Sequence, residues 1–326
     1  MSTGLKTELL VTALRLKGFG QKSVLKIANE AKDIETPEGL FKHISSFNEK
    51  KCREITLSEI LCEYKNAQAL IEKSRKDGIG IIGYYDEVFP DVLHKCVDAK
   101  GKTDPPLILY YRGDLETLKY HGLAMIGTRE PTPNGVKAGE YFAGVFAKHD
   151  FNIVSGLAVG CDTSAHKGAL AVGGKTTAFL AHGLNWDAIY PKENLDLAKQ
   201  IVDSGGLLLS EYSIEESINR YQLVARDRLQ AGLSNGTIVI QTGIKGGTMH
   251  AVNATIMAKK PLYAIDYSTQ EDLTNEKVQG NLMLFNNRSA IRLNSKNVND
   301  IIDLLLADHK DSKKTLQQPT LFDSHE

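Results

Sequence analysis

From Ile79 onward, short apolar runs alternate with amphipathic stretches, and that alternation restricts the chain to very few folds. The runs are Leu123–Ile126, Ile153–Ser155, Thr177–Leu180, Leu207–Ser210, Thr237–Ile240, Leu262–Ile265 and Ala290–Leu293. Between and after them, Gly135–Lys148, Thr163–Ala171, Asn194–Asp203, Asn219–Ala231, Met249–Lys259, Val278–Asn286 and Val298–Ala307 carry helical periodicity. Two parallel strands need a crossover of about a dozen residues, usually a helix. Strand and helix in turn therefore predict βαβ units in an α/β fold, a doubly wound, mostly parallel Rossmann-like sheet.

The first 78 residues differ in character. Glu8–Leu16 is apolar at helical spacing, Gly18-Phe19-Gly20 is a turn, Lys22–Ala28 resumes, and Thr36–Ile44 and Leu57–Lys76 follow. Helix, G-x-G turn, helix is the pattern of a helix-hairpin-helix, whose turn amides can hold a DNA phosphate; a tight corner in a small helical bundle fits it equally. The division expected is a small all-α domain over 1–78, a Rossmann domain over 79–309 and a flexible polar tail over 310–326.

Composition narrows the function. With 39 Lys and Arg against 40 Asp and Glu, the chain is not one that coats duplex DNA by bulk charge, so nucleic-acid binding would be local. No apolar run approaches a membrane span, and the N-terminus lacks a signal-peptide core. Cys52, Cys62, Cys96 and Cys161 are widely spaced, with no CxxC. A reduced cytoplasmic protein without metal or cofactor is expected.

In such a sheet, ligands sit at the carboxyl ends of strands, near helix N-termini. Gly127-Thr128-Arg129 opens a loop that is not GxGxxG, so a dinucleotide fingerprint is absent; Arg129 suits a phosphate or a neighbouring carboxylate. Ser155-Gly156 begins a glycine-rich loop in which Asp162 can cap a helix starting at Thr163, and His166 reads as structural. Lys175 stands at a strand start. Arg226 and Arg228 lie about 200° apart on a helix, which suits one inward salt bridge and one solvated arginine. Lys245-Gly246-Gly247-Thr248 runs from strand to helix, with paired glycines and a capping Thr, as an anion nest does. Two anion-favouring strand ends argue for a phosphate-bearing ligand. Catalytic signatures are missing: no G-x-S-x-G, no HExxH, no Walker lysine. The Gly-Gly-Thr start looks like that of lysine-decarboxylase-like phosphoribohydrolases, but Met249–Asn253 supplies no glutamate, and no pocket carboxylate is identified.

Taken in order, these loops resemble the DprA/Smf family of DNA-processing proteins. The resemblance rests on Leu109-Tyr110-Tyr111-Arg112-Gly113-Asp114, the Gly127–Gly135 loop, Ser155 to His166, and Tyr190-Pro191-Lys192-Glu193-Asn194. It continues through Ser210-Glu211-Tyr212, Arg226–Ser234 and Gly246-Gly247-Thr248, covering about residues 80–292. The helical N-terminus is similar to the family's SAM-like or helix-hairpin-helix domain. The resemblance implies a non-enzymatic homodimer that binds single-stranded DNA and helps load a recombinase during DNA uptake. Arg129, Lys175, Arg226 and Arg228 would carry the nucleic-acid contacts beside the glycine-rich helix starts. Departures are Val159 for an arginine, Asp227 for an asparagine, Leu223-Val224 for Phe-Pro and Gln241 for an acidic residue, and the winged-helix domain of many relatives has no counterpart. They point to a diverged branch, and two alternatives stand beside DNA binding. One is a regulatory or antitoxin subunit that neutralises a toxic enzyme in a phage-defence operon; the other is a nucleotide-processing enzyme of the same superfamily. In the tail, Gln318-Pro319-Thr320-Leu321-Phe322 is similar to sliding-clamp-binding peptides, with folding back onto the body as the alternative.

Overall fold

The computed structural model describes residues 4–31, 33–98 and 100–315, with side chains of 308–315 excepted. Five helices come first: α1 (Thr7–Arg15), α2 (Gln21–Asn29), α3 (Pro37–Ser45), α4 (Lys50–Glu54) and α5 (Leu57–Lys76). Local chemistry sets their starts: Thr36 accepts the Gly39 amide at α3, and Thr56 with Glu59 forms a capping box at α5.

The remainder builds a nine-stranded sheet. Its elements are β1 (Gly80–Gly83), β2 (Ile108–Gly113), β3 (His121–Ile126), α6 (Pro133–Ala147), β4 (Phe151–Ser155), α7 (Cys161–Ala171) and β5 (Thr176–Leu180). Then come α8 (Leu195–Asp203), β6 (Leu207–Ser210), α9 (Arg220–Leu233), β7 (Gly236–Val239), α10 (Thr248–Met257) and β8 (Leu262–Ile265). Finally α11 (Gln270–Thr274), α12 (Gln279–Asn286), β9 (Ile291–Leu293) and α13 (Val298–Thr315) complete it. The strand order is β1-β2-β6-β5-β4-β3-β7-β8-β9, parallel from β6 to β9, with β2 antiparallel to both β1 and β6.

The chain lays β3 to β6 outward in one direction and then returns to place β7 on the other flank of β3. Ala124 pairs Val154 on one side and Thr237 on the other. The order reverses between β3 and β7, so the connections leave in opposite directions and open a crevice at the carboxyl ends.

The seven expected strands are present with ends shifted by at most a few residues. Two were missed: β1 and β2 sit in the Pro- and Gly-containing stretch and pair antiparallel at the sheet edge. The final helix, Val298–Thr315, runs past the expected boundary at 309, and the clamp-like Gln318–Phe322 lies outside the described residues. The N-terminal helices share one apolar cluster with the sheet, Leu10, Ile27 and Ile60 packing into the group that holds Tyr110, Leu180 and Leu208. Among the described residues, no helix is long and apolar enough to cross a membrane.

Candidate nucleic-acid interface

The crevice between β3 and β7 holds a cleft of about 440 Å³. One wall is the β3–α6 loop with Gly127, Thr128 and Arg129, a second is the first turns of α9, and the third is Lys245-Gly246-Gly247-Thr248 leading into α10. The loops are zipped at their base, where Thr128 N–H donates to Gln241 O at 2.7 Å. Gln241 is fully buried; its Oε1 accepts the Thr132 amide and its Nε2 donates to Thr132 Oγ1, both at 2.9 Å.

Arg129 is exposed, and its guanidinium makes no hydrogen bond or ion pair among the described residues. Lys245 is exposed as well. The α10 start corrects an expectation: its N-cap is Gly247, not Thr248, and no side chain caps it. The space beside Gly246 and Gly247 is open. The Met249 and His250 amides already donate to Gly246 O and Gly247 O, so it is the positive end of α10 with two cations that borders the cleft, an arrangement that attracts an anion.

The floor is more acidic than expected. Asp162 does not cap a helix at Thr163, because α7 starts at Cys161 behind Gly160, whose φ of 85° suits glycine. The Asp162 carboxylate instead accepts the amides of Gly156 at 3.1 Å and Ala158 at 3.3 Å, tying the loop to the cleft floor. Asp227 lines the cleft too, with Oδ1 3.3 Å from Arg226 Nε. Burial raises both carboxyls above their ordinary range, Asp227 to about 6, against the pull of Arg226. The expectation of a pocket without carboxylates therefore fails: local sequence shows neither residue's depth.

Both α9 arginines are buried, and neither is solvated. Arg226 Nη1 donates to Gly156 O at 2.7 Å and Phe179 O at 2.8 Å, welding α9 to the ends of β4 and β5. A Cβ at position 156 would land on that guanidinium, so Gly156 is required by close approach. Arg228 lies behind the cleft. It donates to Glu211 through Nη1 and Nη2 at 2.6 and 2.8 Å and to Asp104 through Nε at 2.7 Å. Burial pulls its pKa down, and the Glu211 carboxylate more than offsets this and holds it raised. Its donors are engaged, which removes Arg228 from the expected phosphate contacts.

Two other expected residues are also elsewhere. Lys175 precedes β5 at the amino end of the parallel sheet, opposite the cleft, and its Nζ donates to Gly205 O at 3.0 Å. Ser155 is fully buried, its Oγ donating to Met125 O at 2.6 Å. His166 is structural. Thr176 Oγ1 donates to Ile153 O, so the Nδ1–H of His166 donates to Thr176 at 2.7 Å, and burial lowers the imidazole to about 3. Cys161, at the start of the same helix, has its thiol pushed up to about 12 by burial, against a reactive thiolate. Among the described residues no cluster of ligands could hold a metal.

The family model for DNA recombination-mediator protein A matches residues 80–305. The chain belongs to this family. It is 34% identical over 191 residues to the DNA processing protein DprA of Streptococcus pneumoniae, covering 58% of this chain and 64% of that one. Over 209 residues it is 30% identical to the DprA of Bacillus subtilis, covering 64% and 67%. Several other curated relatives are spanned for less than half their length. Among solved structures, the pneumococcal DprA superposes with a TM-score of 0.70 at 25% identity over 90% of this chain and 96% of that one. The DprA of Helicobacter pylori, described for its single-stranded DNA binding mode, gives 0.58 at 30% identity over 71% and 96%.

Where this member departs from the expected family pattern, three positions line the cleft: Asp227 on its floor and Leu223 and Val224 on its wall. Val159, standing for an arginine, lines a side groove with Tyr190, Pro191 and Leu223. The sequence reading left Asp162 and Asp227 out of the expected phosphate site, naming them only as a helix cap and as a departure from the family pattern. The only signal for them was position within the motifs that carry the resemblance.

Proposed function

We propose that this chain binds single-stranded DNA through phosphate contacts at the β3/β7 cleft, without catalysis, as a cytoplasmic homodimer that supports a recombinase. The observation that carries this is the convergence of Arg129, Lys245 and the uncapped α10 start on one opening at the topological switch point. The family membership and the single-stranded DNA described for the Helicobacter relative support it. The phosphate set is Gly127, Thr128, Arg129, Lys245, Gly246, Gly247 and Thr248; Arg226 and Gly156 support it from below. An anisotropy titration with oligo-dT against duplex tests the reading. Arg129→Ala should weaken oligo-dT binding by roughly 1–3 kcal/mol and flatten the salt dependence. An unchanged affinity and slope in the folded variant would remove Arg129 from the site.

A second reading is favoured by one observation: Asp227, at about 6, is a carboxyl poised for proton transfer inside an anion-binding cleft. On that reading the chain processes a nucleotide. Incubation with nucleoside monophosphates, followed for released base or phosphate and repeated with Asp227→Asn, separates the two.

A further inference from the structure

A second opening, of about 160 Å³, lies at the amino end of β8, between the turn over 91–97 and the ends of α9 and α10. Val92, Val97, Ala254 and Ala258 give it apolar walls, and Lys95 is exposed on its rim. Lys260, two residues before β8, lines it and is partly exposed through it. Its Nζ donates to Ala231 O at 2.8 Å and to Gly232 O at 2.6 Å, both in the last turn of α9. Carbonyls at that end of a helix have no partner within it, so the lysine supplies one.

Two acceptors match the two N–H bonds of a neutral amine. An ammonium carries a third, and Lys260 has no further hydrogen bond and no ion pair among the described residues. Burial therefore outweighs the attraction of a helix C-terminus for a cation and lowers the amine from 10.5 to about 8. With both N–H bonds turned to the carbonyls, the nitrogen lone pair is left for the opening. A lysine desolvated among apolar walls in this way is an activated nucleophile. The other charged and titratable groups around the opening do not compete with it. Arg228 is committed to Glu211 and Asp104, and Cys96 stays a thiol, its Sγ donating to Arg228 O at 3.3 Å and burial pushing it up to about 11. Lys95 stands outside, in water.

We propose that Lys260 is an acylation site, at which the amine takes a short acyl group from an acyl phosphate. The walls suit a short acyl chain in size and polarity, and Lys95 on the rim meets the anionic phosphate. The nitrogen attacks the acyl carbon, and the bond from that carbon to the phosphate oxygen breaks. Inorganic phosphate leaves with the electron pair, and the surplus amine proton passes to water. The amide product keeps one N–H where the amine had two, so one carbonyl at the end of α9 loses its donor. The site is independent of the cleft and of what binds there.

The test incubates the full chain with acetyl phosphate at several pH values and follows each lysine by peptide mapping in a mass spectrometer. Lys50, 87% exposed, is the internal reference. At pH 7 an amine titrating near 8 is about one-tenth neutral, against roughly one in three thousand for an ordinary lysine. Lower basicity takes back part of that advantage, so Lys260 should acetylate about tenfold faster than Lys50. Its rate should level off above about pH 8 while that of Lys50 keeps rising. Ala258→Leu, which fills the opening, should slow Lys260 and leave Lys50 unchanged. Acetylation of Lys260 no faster than Lys50, or a pH profile parallel to it, overturns the proposal on the wild type alone. An unchanged Lys260 rate in a folded Ala258→Leu chain overturns it as well.

Discussion

Asp227→Asn is the most informative single change, because stability and binding should both improve. In the folded chain the carboxyl is raised from 3.8 to about 6, chiefly by burial. An acid held that far above its ordinary value favours the folded state when protonated and opposes it when ionised. The penalty is absent below about pH 4, grows through the interval to about 6, and is fully present at neutral pH. At about 1.4 kcal/mol per tenfold it amounts to roughly 3 kcal/mol. Arg226 keeps Gly156 O and Phe179 O as acceptors after the change, so little of this should be lost to an unpaired cation. At roughly 2–4 °C per kcal/mol, the variant should melt at least about 4 °C above the wild type at neutral pH. Near pH 4 the two should converge. Binding should tighten as well, since a carboxylate lining the cleft repels a phosphate held there. Differential scanning fluorimetry across pH and an oligo-dT titration on the same preparations provide both numbers. A lower melting temperature at neutral pH with unchanged affinity would refute the reasoning, because Asp227 would then be a stabilising partner of Arg226 remote from the ligand.

Arg228→Ala should cost about 3–5 kcal/mol of stability, because it strands Glu211 and Asp104 without their cation; urea unfolding measures it. Gly156→Ala should destabilise the fold and weaken oligo-dT binding together, since the new methyl displaces the Arg226 guanidinium. Wild-type values in both assays would contradict the close approach. Lys175→Ala should leave oligo-dT affinity and its salt slope unchanged, as the residue lies at the amino end of the sheet, opposite the cleft. A loss comparable to that of Arg129→Ala would mean the strand wraps the molecule.

How much of this was legible beforehand differs between levels. Short continuous apolar runs and helices at period 3.6 are local signals, so seven of the nine strands and the helices between them could be read directly. The two missed strands pair antiparallel at an edge, where Pro105 and Pro106 precede β2 and hide its pattern. At the cleft, glycines and cations at strand ends pointed to Gly127–Arg129 and Lys245–Thr248, because a loop that leaves a parallel strand has one place to go.

Which charges face that cleft was decided by packing alone. Arg226 and Arg228 are two residues apart on one helix, yet one supports the cleft floor from within and the other closes an ion triad behind it. Lys175 is the exception, since its place at a strand start already set it at the amino end, away from Arg129 at a carboxyl end. The aspartates acquire their raised carboxyls only because burial strips water from them once α9 packs against the β4 loop. Sequence determines which residues share an element and at which end of a strand they stand. Solvation, pairing and depth arise between elements, from contacts as distant in sequence as Gly156 and Arg226, and only the folded chain sets them.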